Sequence, residues 1–284
     1  MAPLVWLVTG CTSGIGAALV HGIAARGDKV IATGRNASDR LDSIESDSVA
    51  VLDLGVCAPF ADIQVQVARA VAIFGRIDVL VNNAGLSRMS TIEEASEEFV
   101  KAIFDVNLFG AMKVTQAVLS FLRNAGGGTV VFAALTMLAE GLQKEGPPLG
   151  IQSIIFGPGG FESNLAAPRD DEPFAIPPKV EDLRLFQSTF GSFSKDIAPK
   201  VPGDISKLPD AVVDMVKGEG LAKGRPFPVR VVLGPDSLDA IRQKCNEQLQ
   251  LCDSWEDVAL SVMEEGRRET SRWLLDTCSI LNKS

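Results

Sequence analysis

A glycine-rich turn between an apolar run and a helical stretch constrains this chain more than any other feature. Residues 4–8 are apolar and of strand length, Thr9-Gly10-Cys11-Thr12-Ser13-Gly14-Ile15-Gly16 follows, and residues 14–26 carry helical spacing. A buried strand that turns this sharply into a helix opens a strand–helix–strand alternation. The alternation continues downstream. Residues 29–33, 49–52, 78–81, 129–132, 150–156 and 229–233 read as strands, and 64–74, 93–105, 108–123 and 210–217 as helices. Within 64–74, Val65, Ala68, Val71 and Ala72 share one face. Continuous apolar strands separated by helices imply an α/β fold, a doubly wound parallel sheet with right-handed crossovers.

The 284 residues, 46% of them hydrophobic, suffice for one large domain spanning 1–284. Residues 166–202 are rich in Pro, Asp and Ser, carry Phe174, Ile176, Phe186, Phe190 and Phe193, and read as a lid-like loop. Helical patterns at 237–252 and 255–281 form a C-terminal extension over about 236–284. The formal charge of −9 leaves no basic stripe for nucleic acid. No run reads as membrane-spanning and the start lacks a basic leader, so the expected location is cytoplasmic. The five cysteines form no CxxC pair and accompany a single histidine, His21, so no metal site is expected and the thiols are read as reduced and mostly buried.

Each glycine of the turn has a physical task. Gly10 permits the sharp turn, Gly14 lets backbone approach a pyrophosphate, and Gly16 lets the helix pack close on the sheet. The phosphates would then meet free N–H groups at the positive end of the helix.

The spacing TGxxxGIG, rather than GxGxxG, resembles the short-chain dehydrogenase/reductase family, and further matches fall in order. Asn82-Asn83-Ala84-Gly85 resembles its NNAG motif, Asp53 its adenine-binding Asp, and Asn107 the Asn of its catalytic tetrad. Pro158-Gly159-Gly160-Phe161-Glu162-Ser163 resembles the PG motif that closes over the nicotinamide end, and the tail from Pro226 through Leu233-Gly234-Pro235-Asp236 is similar to a retinol-dehydrogenase-like branch. The resemblance spans nearly the whole chain. It implies a Rossmann-like three-layer α/β/α fold and an NADP(H)-dependent interconversion of carbonyl and alcohol on a small, mostly apolar substrate. It places the cofactor on Gly10, Thr12, Ser13, Gly14, Ile15, Gly16, Arg35, Asp53, Asn82, Ala84, Gly85, Pro158, Gly159, Phe161 and Ser163. A homo-oligomer is compatible with it.

Charge argues for NADP. NAD-specific relatives end the second strand with an acid that binds the ribose hydroxyls. Gly34 stands there instead, and the Arg35 guanidinium that follows can grip a 2′-phosphate bidentately.

The rest of the tetrad is missing. The family's proton donor is a tyrosine whose pKa a lysine four residues later lowers toward neutrality, beside a serine that holds the substrate oxygen. This sequence contains no tyrosine. Residues 128–132 resemble the fifth strand, 133–142 resemble the helix just past the catalytic lysine, and 150–153 rejoin the sixth strand. A clean gap between matched flanks points to a skipped exon, a gene-model error or a genuine deletion. It truncates the crossover from fifth strand to helix, so either the helix starts lower or the strand end unravels, and both would open the nicotinamide pocket. No substitute stands out. Thr136 and Ser163 lack a base, Lys113 reads as a satisfied lysine, and His21 as structural. Three readings follow: an oxidoreductase, a non-catalytic NADP-binding pseudoenzyme or regulatory partner, and an unstable product.

Overall fold

A computed structural model describes residues 2–88, 90–133, 135–161, 180–181 and 201–262. The lid-like loop, apart from 180–181 and 201–202, and Ser163 lie outside the described residues, as does the extension beyond 262.

The strands are β1 (Val5–Val8), β2 (Lys29–Gly34), β3 (Val49–Asp53), β4 (Val79–Asn82), β5 (Gly128–Ala133), β6 (Ile151–Pro158) and β7 (Arg230–Leu233). All pair in parallel, in the order β3-β2-β1-β4-β5-β6-β7. The strand order reverses between β1 and β4, the switch point at whose carboxyl edge ligands of such sheets bind.

The helices are α1 (Gly14–Ala25), α2 (Ala37–Arg40), α3 (Phe60–Phe74), α4 (Glu97–Phe104), α5 (Ala111–Asn124), α6 (Thr136–Glu145), α7 (Leu208–Lys217), α8 (Pro235–Ser254) and α9 (Glu256–Leu260). Helix α1 buries Gly16, Leu19, Val20 and Ile23, a 3.6-residue stripe. Ser96 caps α4 by accepting the Phe99 N–H, with Glu97 and Glu98 in the first turn. One core packs Ile63, Val67, Val114, Val118, Ala139 and Leu142 against Leu7, Leu80 and Phe132. The other packs Leu19, Ile23, Val212 and Val213 against Trp6, Val8, Val81 and Phe156. These are the two covered faces of a three-layer α/β/α protein.

At the amino edge of the sheet, buried Asp28 accepts hydrogen bonds from the Leu4 N–H (3.0 Å), the Trp6 indole N–H (3.0 Å) and the Lys217 ammonium (2.8 Å). Because the charge is paired and the acceptor shared three ways, its burial is compensated.

Some expectations need correcting. In α3 the inward face is Ile63, Val67 and Ala70, whereas Val65 is 52% exposed. The helix offers two stripes of small apolar residues, and the one with the larger side chains turns inward. The thiols are mostly exposed among the described residues: only Cys11 is buried, while Cys57, Cys245 and Cys252 face solvent. Cys245 and Cys252 lie on α8, which buries no residue. The end of β5 does not unravel, because the strand keeps its ladder as far as Ala133 opposite Phe156. Helix α6 starts at Thr136.

Residues Glu97–Asn124 are long and apolar enough to cross a membrane by length and composition. Their α5 portion is a core helix, burying Ala111, Val114, Val118 and Leu122 against the sheet.

Candidate dinucleotide site

The turn between β1 and α1 is built so tightly that glycine is obligatory. Gly10 has φ +73°, and a Cβ there would stand 2.7 Å from Ala84 Cα. Gly14 is also left-handed, at φ +59°. A Cβ on Gly16 would lie 2.2 Å from the Gly10 carbonyl oxygen and 2.6 Å from Asn83 Nδ2. Ser13, the residue before α1, makes no side-chain cap, so the first N–H groups of the helix receive no bond from it. Thr12, Ser13, Gly14 and Ile15 therefore present backbone donors at a helix start, as an anion requires.

The turn is fastened to the end of β4. The Thr9 hydroxyl donates to the Val81 carbonyl (3.2 Å) and accepts the N–H groups of Asn83 and Ala84 (both 3.0 Å). The Asn83 amide donates back to the carbonyls of Thr9 (2.9 Å) and Gly10 (3.2 Å). Thr9 and Asn83 are the residues that sequence reasoning did not single out. Asn82, expected at the cofactor, is buried under the edge and donates to the Thr115 hydroxyl (2.9 Å). Cys11 is held with its N–H on the Thr33 carbonyl, and burial pushes its thiol up to about 12, which makes it an inert packing group.

A cavity of about 560 Å³ opens at the carboxyl ends of β2 and β3, lined by Gly34, Arg35, Arg40, Asp53, Asp62 and Gln66 among others. Arg35 runs over Gly55, where a Cβ would touch its Cγ at 3.8 Å. A Cβ on Gly34 would meet the Thr12 methyl at 3.0 Å, tighter than ordinary contact. Asp53 accepts the Ser38 N–H (3.0 Å), and that bond holds its carboxyl below the usual range. It thus also tethers the start of α2.

Asn107 sits in a π-helical turn, Asp105–Gly110, between α4 and α5. Its Oδ1 accepts the Leu86 N–H (2.7 Å) and its Nδ2 donates to the Leu86 carbonyl (2.8 Å), fixing the loop that follows Gly85. Lys113 is satisfied by the Ala58 carbonyl (2.8 Å), and His21 is exposed on α1. Pro158 ends β6, paired opposite Leu233, and Gly159 to Phe161 begin the next loop along the edge, where Phe161 bridges to Gly203. At the crossover, Leu135 takes φ +73°, directly before Thr136.

The sheet order and turn define a doubly wound, Rossmann-like protein. Residues 4–134 match the family described as short chain dehydrogenase. An uncharacterized oxidoreductase of Staphylococcus saprophyticus is 31% identical over 185 residues, covering 56% of this chain and 74% of that protein. Oxidoreductase BOA17 of Botryotinia fuckeliana is 26% identical over 282 residues, 90% of this chain and 98% of that protein. A crystal structure of a short-chain dehydrogenase from Streptomyces avermitilis superposes with TM-score 0.78 at 29% identity, covering 93% of this chain and all of that one. Two more distant neighbours share the fold. They are a gluconate 5-dehydrogenase of Burkholderia cenocepacia in complex with NADP and tartrate (TM-score 0.64, 21% identity, 84% and 96% covered) and a short-chain protein of Burkholderia phymatum in complex with NAD (0.71, 17%, 88% and 95%). The chain belongs to the short-chain dehydrogenase family of oxidoreductases, whose substrates are small molecules.

Proposed function

We propose that this chain binds NADP(H) along the carboxyl edge of its sheet and serves as an oxidoreductase that interconverts a carbonyl and an alcohol on a small, mostly apolar compound. When bound, the cofactor supplies or accepts the hydride. The observation that carries the cofactor reading is the cavity at β2 and β3, with Arg35 and Arg40 on its wall and Gly34 in place of an acid. Gly10, Gly14 and Gly16 would admit the pyrophosphate to the start of α1, Asp53 would face the adenosine half, and Ala84, Gly85 and the loop from Pro158 to Phe161 would line the rest. A cytoplasmic, single-domain protein goes with this reading.

A specific observation favours a second reading, binding without turnover. No tyrosine occurs in the sequence, and only positions 134 and 135 separate β5 from α6. Asn107 would remain as a positioning group with no phenol to position.

Arg35→Leu tests the cofactor choice. Losing a charge-assisted contact to the 2′-phosphate should weaken NADPH by about ten- to a hundredfold and NADH far less. Equal losses would end the assignment. A carbonyl panel with NADPH separates the two readings: turnover abolished by Asn107→Ala supports the oxidoreductase, whereas saturable binding without turnover supports the pseudoenzyme.

A further inference from the structure

We propose that Asp236 is a positioning residue that holds the loop after β6 in the shape needed by the nicotinamide half of the dinucleotide. The inference rests on the cofactor reading above. With the pyrophosphate at the start of α1 and the adenosine half in the cavity at β2 and β3, the other half must extend toward the ends of β4, β5 and β6. The loop from Pro158 to Phe161 stands at the last of these.

That loop contains consecutive glycines, Gly159 and Gly160, which lose more freedom on ordering than any other residue. Its order comes from the corner between β7 and α8. Gly159 donates to the Leu233 carbonyl (2.7 Å), Gly160 donates to the Asp236 carboxylate (2.6 Å), and the Ser237 hydroxyl donates to the Gly157 carbonyl (3.2 Å). The bond to Asp236 is charge-assisted and short for an N–H donor.

The carboxylate also shapes the loop by filling space. A Cβ on Gly159 would lie 2.2 Å from Asp236 Oδ1, one on Gly234 2.9 Å from the same oxygen, and one on Gly160 3.3 Å from Oδ2. Three glycines therefore surround one carboxylate, and Gly234 is itself left-handed at φ +115°. Neither Asp236 nor the rest of α8 contributes to the core, since the helix buries no residue. An exposed carboxylate seated this closely acts on the loop it touches and little on the fold as a whole.

Two measurements on the full chain test the assignment. The first compares NADPH with adenosine 2′,5′-bisphosphate, which carries the adenosine end alone. Asp236→Ala should weaken NADPH by about tenfold, the value of one charge-assisted bond, and leave the bisphosphate within about twofold. Equal weakening of both ligands, or of neither, overturns the positioning role. If the wild-type chain binds neither, the cofactor reading has failed and the inference with it. The second needs no cofactor. Gly159→Ala should lower Tm slightly in the wild-type background and less still beside Asp236→Ala, because the exposed carboxylate that it displaces is gone. Additive effects would show that the contact does not shape the loop, whatever the cofactor result.

Discussion

The turn from β1 to α1 and the crossover from β5 to α6 lie on the same edge of one sheet, yet they are built to different standards. In the turn, every left-handed position is a glycine, and Thr9 and Asn83 satisfy the carbonyls and N–H groups around it. In the crossover the left-handed position is Leu135, a γ-branched residue for which that backbone costs about 1–2 kcal/mol. The turn works through backbone, so its competence follows from the glycines and their clamps. The crossover presents no such glycine framework, and no tyrosine stands in the sequence to act there as a proton donor. On the proposed reading, the cofactor cradle and any proton-transfer groups are carried by different parts of the chain, so a change in one need not disturb the other.

The comparison can be broken first at Gly16. Gly16→Val drives a branched side chain into the Gly10 carbonyl and Asn83, so about 3 kcal/mol or more of stability should be lost in chemical denaturation, together with NADPH binding. Retained binding would mean that the turn is not the cradle. Thr9→Val comes next. It leaves the N–H groups of Asn83 and Ala84 without their acceptor, for a loss of about 2–3 kcal/mol. A loss under roughly 0.5 kcal/mol would refute the clamp.

On the other side, Leu135→Gly should cost about 1–2 kcal/mol less than the about 2–5 of an uncompensated packing loss, because relief of the left-handed strain offsets part of it. A full packing loss would show that the crossover is as well fitted as the turn.

The smallest effect concerns acid. Asp53 is held below its ordinary range by the Ser38 N–H, so its contribution is complete above the unfolded value of about 3.9 and disappears as pH falls through the lower folded value. Wild type and Asp53→Asn should therefore differ above about pH 4 and converge in the acid limb of a pH–stability curve. A difference that grows on acidification would reverse the sign.

Much of this was legible in the sequence because it is written in residue types with one physical use. Gly10, Gly14 and Gly16 mark backbone that other residues cannot adopt or would block, and continuous apolar strands mark a parallel sheet. The helix phase of α3 was not, since Val65, Ala68, Val71 and Ala72 compete with Ile63, Val67 and Ala70 for the inward face, and packing turns the second set inward with only Val71 of the first partly buried beside it. The hydrogen-bonding of neighbours such as Asn82 and Asn83 was equally hidden. Adjacent residues of one type diverge into core and turn, and sequence spacing does not say which does which. The exposed thiols of α8 depended on whether that helix packs, a tertiary property.

The most direct test of an intact cofactor cradle is an equilibrium fluorescence titration of the wild-type chain with NADPH and, in parallel, with NADH. Saturable binding, with NADPH tighter by about tenfold or more, is the predicted result. Absence of saturable binding, or tighter binding of NADH, would contradict it.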